Sequence, residues 1–445
     1  MVRLFGMPYR KWSPRVQLQG NLVWDRLAEM TDLYGPRISG SEALEKSIDW
    51  VVHMAGKVDG LEVRTQEVNV TYFKRGAESL TLLSETRGAV PLTMIGLGMA
   101  TPGNVTAQVV MAHSFEEFEA MDKETIKGKI VCINPPWSDY FGFARYRLLG
   151  AKVAADKGAV GFLIRSATPF SLNTVHTGSS VPAGIPAAAI TPEHADMLDR
   201  MSRRTSLNSS SPFAHLFTAP VVRLEMASEL FPRVSRNVII DLPGADPDPK
   251  VAQEIVLVSG HIDSWDVGQG AVDDGAGSFV AWDVIRVLSQ LEQRPRRTVR
   301  AVLYTNEENG LAGAYAYRQA LDDKALQNHI FAIESDTGVF KPWGLSFQSA
   351  STDQRTIAKQ TAYLTRMGEH VKRRMPDGYH GGHVTTGFTG ADIEPLCQDG
   401  VPCAGWLSLD AIKKDEFGLN GYFYYHHTHA DTVSALNATD IAASI

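Results

Sequence analysis

Acidic and histidine residues cluster in five segments of this chain, and side chains of these types bind divalent metals. The segments are HIDSWD at 261–266, DD at 273–274, EE at 307–308, ESD at 334–336 and HHTHADT at 426–432. Carboxylates packed together repel one another, and their burial is costly unless a positive charge lies between them. Because these segments contain no Arg or Lys, a divalent cation is the simplest source of that charge. Mixed imidazole and carboxylate ligands suit zinc, with manganese and cobalt as alternatives.

Most of these segments follow apolar runs that we interpret as strands. The runs are short and nearly continuous, which is typical of strands buried on both faces of a parallel sheet. Ligands of open α/β sheets bind beyond the carboxyl ends of the strands, so the segments should converge on one site. The predicted strands are 237–242, 254–260, 298–305, 329–336 and 401–407, and helices are predicted at roughly 277–292, 311–323 and 351–370.

Each segment also has a purely structural interpretation. A His-x-Asp sequence after a strand is often incidental, and Glu307 with Glu308 could simply favour the dipole of a following helix. Asp274 could be only a helix cap. Of the histidines at 426–429, at most two should be ligands. The coincidence of five such segments on one sheet edge nevertheless favours a metal site.

The composition excludes several other classes of protein. The chain of 445 residues is 44% hydrophobic and 21% charged, which is ordinary for a globular protein and not for a disordered or fibrous one. A net charge of −7 argues against a nucleic-acid partner. No run approaches the ~20 apolar residues that cross a bilayer. We therefore expect a soluble protein without a membrane partner.

The pattern of predicted helices and strands changes twice along the chain. Residues 22–55 predict two amphipathic helices around a Gly-Pro turn, and 61–73 predict a strand. Beyond them, short strands alternate with turns and with one helix at 144–159, as in a compact β-rich module. We therefore divide the chain into an N-terminal part of the main domain, an inserted domain and the main part, at 1–75, 76–234 and 235–445.

The cysteines and the N-terminal segment do not identify the cellular compartment of the protein. Three cysteines cannot form a disulfide framework, and Cys397 and Cys403 could bridge across a loop or remain thiols. The first fifteen residues are basic without the apolar run of a secretory signal, so either the chain is intracellular or its signal is missing here. Four glycosylation sequons favour a secretory route, and hence a secreted or lysosomal glycoprotein. They lie at Asn69, Asn104, Asn208 and Asn437.

The five segments, read as GHIDSWD, GAVDDGAGS, NEENGLAGA, IESDTG and HHTHADT, resemble the signature loops of the co-catalytic zinc exopeptidases. This family contains bacterial leucyl-type aminopeptidases and glutamate carboxypeptidases. The similarity runs from about residue 25 to the end and includes GKIV and IPAAAIT of an inserted protease-associated domain. It implies an α/β zinc-exopeptidase domain with a mixed, mostly parallel central sheet flanked by helices, plus that inserted β-rich domain.

The resemblance also implies two zinc ions per chain and assigns their ligands. His261 and Asp336 would hold one ion, Glu308 and His427 would hold the other, and Asp273 would bridge the two. The choice of His427 rests on the H-T-x-x-D-T spacing.

Further roles follow from the same resemblance. Glu307 matches the family's general base, and Asp263 matches a carboxylate that orients the metal ligand His261. Asp431 would support the ligands from behind, and the Asp273–Asp274 peptide bond would be cis. Asp392, in TGADIEP, matches a loop near the site without a definite role.

We therefore expect an exopeptidase that cleaves unblocked dipeptides or short peptides and forms a homodimer. An aminopeptidase with the same metal core is the main alternative. A non-catalytic, receptor-like relative is disfavoured because every ligand position and Glu307 are present. Nucleotide binding by GQGAVDDGAG is disfavoured because the sequence lacks both G-x-G-x-x-G and a Walker lysine.

Overall fold

Two eight-stranded sheets form the framework of the molecule. The computed structural model describes residues 20–206, 214–374, 382–416 and 420–445. The basic segment at 1–15 and the sequon at Asn208 lie outside the described residues.

The strands are numbered in chain order. They are β1 Glu62–Lys74, β2 Glu78–Ser84, β3 Gly88–Leu92, β4 Met94–Gly96, β5 Gly103–Ala112, β6 Ile130–Ile133, β7 Gly161–Arg165, β8 Ala187–Ile190, β9 Val221–Met226, β10 Glu229–Leu242, β11 Ile255–His261, β12 Thr298–Tyr304, β13 His329–Glu334, β14 Pro342–Gln348, β15 His383–Thr386 and β16 Cys403–Ser408.

The helices are numbered in the same way. They are α1 Gly20–Tyr34, α2 Glu42–Ala55, α3 Phe115–Ala120, α4 Lys123–Ile126, α5 Tyr140–Asp156, α6 Pro192–Ser206, α7 Pro249–Ala252, α8 Ala276–Ser289, α9 Ala312–Gln319, α10 Asp323–Gln327, α11 Gln354–Lys372, α12 Glu394–Gln398, α13 Leu409–Ile412, α14 Gly421–Tyr425 and α15 Ala438–Ser444.

The first sheet has the strand order β1-β10-β12-β11-β13-β16-β14-β15. Strands β12, β11, β13 and β16 are parallel neighbours at its centre. Strands β1, β10 and β14 run antiparallel to their partners nearer the centre, whereas the outermost strand, β15, is parallel to β14. The expected α/β class with a mixed central sheet is confirmed.

The strand predicted at 237–242 exists, but the parallel interpretation of it is wrong. It lies in β10, which pairs antiparallel with both of its neighbours. Val238 and Ile240 enter the core cluster shared with α1, α2 and α8, whereas Ile239 enters the cluster shared with α9. Because both faces are covered, the run is continuously apolar, and that pattern does not depend on strand direction.

Residues 78–226 supply all strands of the second sheet, in the order β3-β2-β9-β5-β6-β7-β8-β4. Strands β5, β6, β7 and β8 are parallel neighbours at its centre. The segment also contains more helices than its turn-rich sequence suggested. The single predicted helix corresponds to α5, but α3, α4 and α6 were missed. Helix α6 ends at Ser206, and residues 207–213 lie outside the described residues.

The two sheets are joined through the loop that follows β11. Trp265 and Val267 of this loop are buried in the core of the second sheet. Nearby, Arg75 pairs with Asp266 through two hydrogen bonds, of 2.8 and 2.9 Å. The second sheet is therefore anchored beside the edge at which β11 ends.

Cys397 and Cys403 form a disulfide, which resolves the alternative left open by the sequence. Cys132 is a buried free thiol. Among the described helices, none combines the length and apolar character needed to cross a lipid bilayer.

Candidate metal centre

Three adjacent parallel strands deliver acidic and imidazole side chains to one edge of the first sheet. His261 is the last residue of β11, Glu307 and Glu308 follow β12, and Asp336 follows β13. Gly260 is level with Leu303 of β12, and Ser259 is level with Glu334 of β13. Parallel strands in this register place their carboxyl-terminal residues side by side.

Asp273 lies between two histidines, one at the end of β11 and the other just after α14. Its Oδ1 is 3.2 Å from Nε2 of His261, and its Oδ2 is 3.4 Å from Nε2 of His427. Asp336 Oδ1 is 3.4 Å from the same nitrogen of His261, and Glu308 Oε2 is 3.0 Å from that of His427. The structure thus brings the five predicted ligands together, with one carboxylate touching both halves of the cluster.

The backbone around Asp273 packs closely against the chain segments beside it. The Asp273–Asp274 peptide bond is cis, as predicted. Asp274 accepts hydrogen bonds from the N–H groups of His261 and Gly277, so it ties the end of β11 to the start of α8. A Cβ at Gly277 would lie 1.9 Å from the carbonyl oxygen of Ser335, which explains why this position needs glycine.

Asp431 holds the same loop from the opposite side. Its Oδ1 accepts hydrogen bonds from the N–H groups of Ala271 and Val272, and its Oδ2 accepts one from Asp273. Three successive backbone donors on one carboxylate fix the position of the Asp273 main chain. Asp431 therefore lies behind the cluster, where the resemblance had placed it.

Asp263 is close to His261, but the contact differs from the expected one. Nδ1 of His261 donates to the backbone carbonyl oxygen of Asp263 at 3.0 Å, whereas Oδ1 of the Asp263 carboxylate is 3.7 Å away. The carboxylate instead accepts from Glu307 N–H at 3.1 Å and from the Ser39 hydroxyl at 2.7 Å. Its orienting contact is thus with the Glu307 backbone, and the ring of His261 is oriented by a carbonyl.

His426 and His427 both point towards Asp273, and their rings stack with centroids 3.5 Å apart. Nδ1 of His427 donates to the carbonyl oxygen of Thr177 at 3.2 Å, which leaves its Nε2 with a free lone pair. Nε2 of His426 is 3.5 Å from Asp273, but its buried Nδ1 has no partner among the described residues. The hydrogen bond to Thr177 therefore favours His427 as the oriented ligand.

The buried carboxylates of the cluster favour a bound cation. Burial and the nearby Asp273 carboxylate raise the pKa of Glu308 well above its ordinary value. Burial lowers the pKa of His261, but hydrogen bonds with Asp273 and Asp336 outweigh it and raise that pKa well above its ordinary value. Oδ2 of Asp273 and Oε1 of Glu308 are buried without a hydrogen-bond partner in the described part of the chain. Such oxygens beside two imidazole Nε2 atoms form a donor set that fits zinc.

Glu307 differs from its neighbour Glu308 in its surroundings. Both line a cavity of about 210 Å³ above the cluster. The carboxylate of Glu307 makes no hydrogen bond to any described residue. Burial raises the pKa of Glu307 well above its ordinary value. Glu307 therefore presents an unpaired carboxylate to the cavity, as a general base requires.

The described residues whose ligand atoms lie close enough to share a metal ion do not include Asp392. Its carboxylate is buried without a partner in the described structure, and its N–H donates to Glu334 Oε1 at 3.3 Å. Burial and the Glu334 charge raise the pKa of Asp392 well above its ordinary value.

Arg37 is a supporting residue for which the sequence had suggested no role. It is fully buried, and burial lowers its pKa to about 10. Its guanidinium donates to the carbonyl oxygens of Ile262, Gln269 and Gly270 at 2.7–2.8 Å. It thereby holds both ends of the loop between β11 and Asp273. No local pattern identifies such a residue, because its acceptors lie more than 200 positions away.

We expect Arg37→Gln to lower the free energy of unfolding by about 3 kcal/mol, because it leaves buried carbonyl groups without donors. Urea unfolding monitored by fluorescence would measure the change. Arg355→Gln, at an exposed position of α11, is the matched control and should have no measurable effect. Equal midpoints for the two variants would contradict the role of Arg37.

Comparison with known proteins agrees with this geometry. The sequence profile of Peptidase family M28 matches residues 237–444. Carboxypeptidase Q of Mus musculus is 35% identical over 435 residues, which cover 96% of this chain and 84% of the relative. The chain belongs to peptidase family M28. It is a zinc-dependent metallopeptidase of the exopeptidase type, as the resemblance predicted.

Solved structures support the same conclusion for the fold. A peptidase M28 precursor from Shewanella amazonensis superposes with a TM-score of 0.80 at 28% identity, covering 98% of this chain and 94% of that chain. A zinc aminopeptidase from Bacillus subtilis superposes with a TM-score of 0.66 at 20% identity, covering 96% and 93%. The second similarity concerns the fold alone.

Proposed function

We propose that this chain is a di-zinc exopeptidase that hydrolyses unblocked dipeptides or short peptides in the manner of carboxypeptidase Q. The proposal is carried by the position of Asp273, whose two oxygens lie beside His261 and His427. In this proposal His261 and Asp336 would hold one zinc ion, Glu308 and His427 would hold the other, and Asp273 would contribute to both. Two metal ions held close together can act on one substrate.

Glu307 acts as the general base in the proposed reaction. Bound zinc would supply a Lewis acid that lowers the pKa of water and polarises the peptide carbonyl. The free Glu307 carboxylate accepts the proton of the attacking water and returns it to the leaving amine. Asp263 positions this base through the Glu307 N–H group and does not itself touch the substrate.

Residues 76–234 form the inserted protease-associated domain in this proposal, and they cover the active site. Contacts between this segment and the cluster support the idea. The Ser179 hydroxyl donates to the carbonyl oxygen of Glu308 at 2.7 Å. Thr177 and His427 exchange two hydrogen bonds, through the Thr177 N–H and the His427 Nδ1–H. A domain fixed this closely to two metal ligands helps to shape the substrate cavity.

We also propose that the protein is a secreted or lysosomal glycoprotein and a homodimer. The Cys397–Cys403 disulfide is typical of oxidising compartments. Asn69, Asn104 and Asn437 are exposed, so their sequons are accessible to glycosylation. The homodimer is what the resemblance to the zinc exopeptidases implies. Sedimentation as a monomer at micromolar concentration would exclude the dimer.

Dipeptide hydrolysis with and without a metal chelator tests the proposed function. We expect unblocked dipeptides to be hydrolysed, the activity to disappear after chelation, and two equivalents of zinc per chain to restore it. Metal analysis of the purified protein gives the stoichiometry directly. Activity that survives complete metal removal, or saturation at one equivalent, would refute the di-zinc mechanism.

Replacement of the two stacked histidines distinguishes the ligand from its neighbour. We expect His427→Ala to bind about one zinc per chain, because the Glu308 site loses its only imidazole. His426→Ala should keep both ions. Metal analysis after dialysis against zinc-free buffer measures the difference. The reverse result would identify His426 as the ligand.

A further inference from the structure

A second cavity, of about 360 Å³, lies beside the second sheet. It is bordered by the turn between β2 and β3, by helix α6 and by the residues that precede β9. Its volume falls within the range of small-molecule sites, about 300–1,000 Å³. Among the described residues, it shares no lining residue with the cavity above the metal cluster. It is therefore a separate concave surface, for which the proposed reaction has no use.

One face of helix α6 forms a wall of this cavity. Met197, Arg200, Met201 and Arg204 line it. Their spacing of i, i+3, i+4 and i+7 places these side chains on one side of a helix. Arg87, in the turn between β2 and β3, adds a third guanidinium to the lining. Three arginines from two separate elements thus border one concavity.

These three guanidinium groups have no carboxylate partner among the described residues. By contrast, Arg203 of the same helix is paired with Asp199. Glu85 also lines the cavity, but its exposed carboxylate forms no ion pair with the three arginines. Residues 207–213, which connect α6 to the segment before β9 and lie outside the described residues, contain no acidic side chain. The lining therefore keeps an excess of positive charge in a chain whose net charge is −7.

Helix stability alone does not explain this grouping. Arg204 lies in the last turn of α6, where the helix dipole favours a positive charge. Arg200 lies one turn earlier, and Arg87 belongs to a different element. The helix dipole therefore does not account for their convergence, whereas the binding of an anion requires it.

Apolar side chains lie beside the guanidinium groups. Cζ of Arg204 lies over the ring of Phe217, 5.9 Å from its centroid, and this cation–π contact orients the guanidinium. Nη1 of Arg87 is 4.0 Å from Sδ of Met197. Leu216, another lining residue, is 41% exposed. The cavity thus offers a ligand both positive charge and apolar surface.

We propose that this cavity binds a small organic anion, with a phosphate or carboxylate group on a short apolar body, at a site separate from the metal centre. Guanidinium groups pair with such oxyanions through parallel hydrogen bonds. The apolar side chains cover the body of the ligand, and the unbranched methionines adapt to its shape. Three elements surround the cavity, which suits a soluble ligand better than the flat surface of a bilayer.

Calorimetry with the full chain and octyl phosphate, below the concentration at which this compound forms micelles, tests the proposal. We expect one equivalent to bind per chain. Inorganic phosphate should bind at least roughly 10-fold more weakly, because it has no apolar surface to bury. Octyltrimethylammonium has the same alkyl chain with the opposite charge and should not bind. Equal binding of the two octyl compounds would overturn the proposal.

Substitutions on two separate elements locate the site. Arg87→Gln and Arg200→Gln should each weaken the binding of octyl phosphate by roughly 10-fold, and the double variant by roughly 100-fold. Both side chains are exposed, so their replacement leaves the core packing intact. Arg366→Gln, at an exposed position of α11 outside the cavity, is the matched control and should bind as the wild type does. Unchanged binding by the double variant would place the ligand elsewhere, the metal centre included, and would overturn the proposal.

Co-sedimentation with lipid vesicles separates a soluble ligand from a lipid headgroup. We expect the protein to stay in the supernatant with vesicles of phosphatidylcholine and phosphatidylserine. Sedimentation that is lost in the variant with both Arg87→Gln and Arg200→Gln would identify an anionic membrane as the partner and overturn the assignment of a soluble ligand.

Discussion

Glu307→Gln is expected to lower kcat by about 10²-fold or more while leaving the zinc content unchanged. The amide has nearly the same size as the carboxylate but cannot accept a proton from water. Glu307 makes no side-chain hydrogen bond to the described residues, so its substitution breaks no contact within the protein. Its backbone remains held by the hydrogen bond from Glu307 N–H to Asp263.

Steady-state kinetics on an unblocked dipeptide, together with metal analysis of the same preparation, measures both quantities. KM should change little, because the carboxylate acts on the water and not on the substrate ends. Glu85→Gln, at an exposed turn between β2 and β3, controls for the loss of one negative charge. A turnover within a few-fold of wild type would show that another group is the base.

The convergence of these side chains could be predicted from the sequence because most of them follow the ends of strands. The apolar runs marked the positions of β11, β12 and β13, and the residues after them were acidic or imidazole. Parallel neighbours in register then bring His261 and Asp336 together without any further information. The strand at 237–242 shows the limit of this reasoning, because burial on both faces produces the same apolar run in an antiparallel strand.

Residues that act across long distances in the chain could not be predicted from patterns. Arg37 binds a loop more than 200 residues away, and Thr177, between β7 and β8, orients His427. Hydrogen bonds of this type have no period and no characteristic spacing. The expected contact between Asp263 and His261 shows the same limit at the level of atoms. Asp263 lies beside His261, but its carboxylate accepts a hydrogen bond from Glu307 N–H, and only its backbone oxygen accepts one from the imidazole.

Asp273→Asn is expected to reduce the bound zinc from two ions to fewer than one per chain. Asp273 has one oxygen 3.2 Å from Nε2 of His261 and the other 3.4 Å from Nε2 of His427. An asparagine side chain is neutral and offers a single acceptor oxygen, so it cannot serve both halves of the cluster. His427→Ala, in contrast, should remove one ion and leave the other, because only the Glu308 half loses a ligand.

The catalytic loss in Asp273→Asn should be larger than in any variant of a single site. Metal ions supply several kcal/mol of transition-state stabilisation, so removal of both ions should lower kcat by roughly 10³-fold or more. Metal analysis and kinetics on one preparation test both effects, with the exposed Asp59→Asn as the matched control. The metal-free wild type and the metal-free variant should unfold at similar temperatures. If Asp273→Asn keeps two zinc ions, Asp273 does not bridge them, and each ion must have a complete ligand set without it.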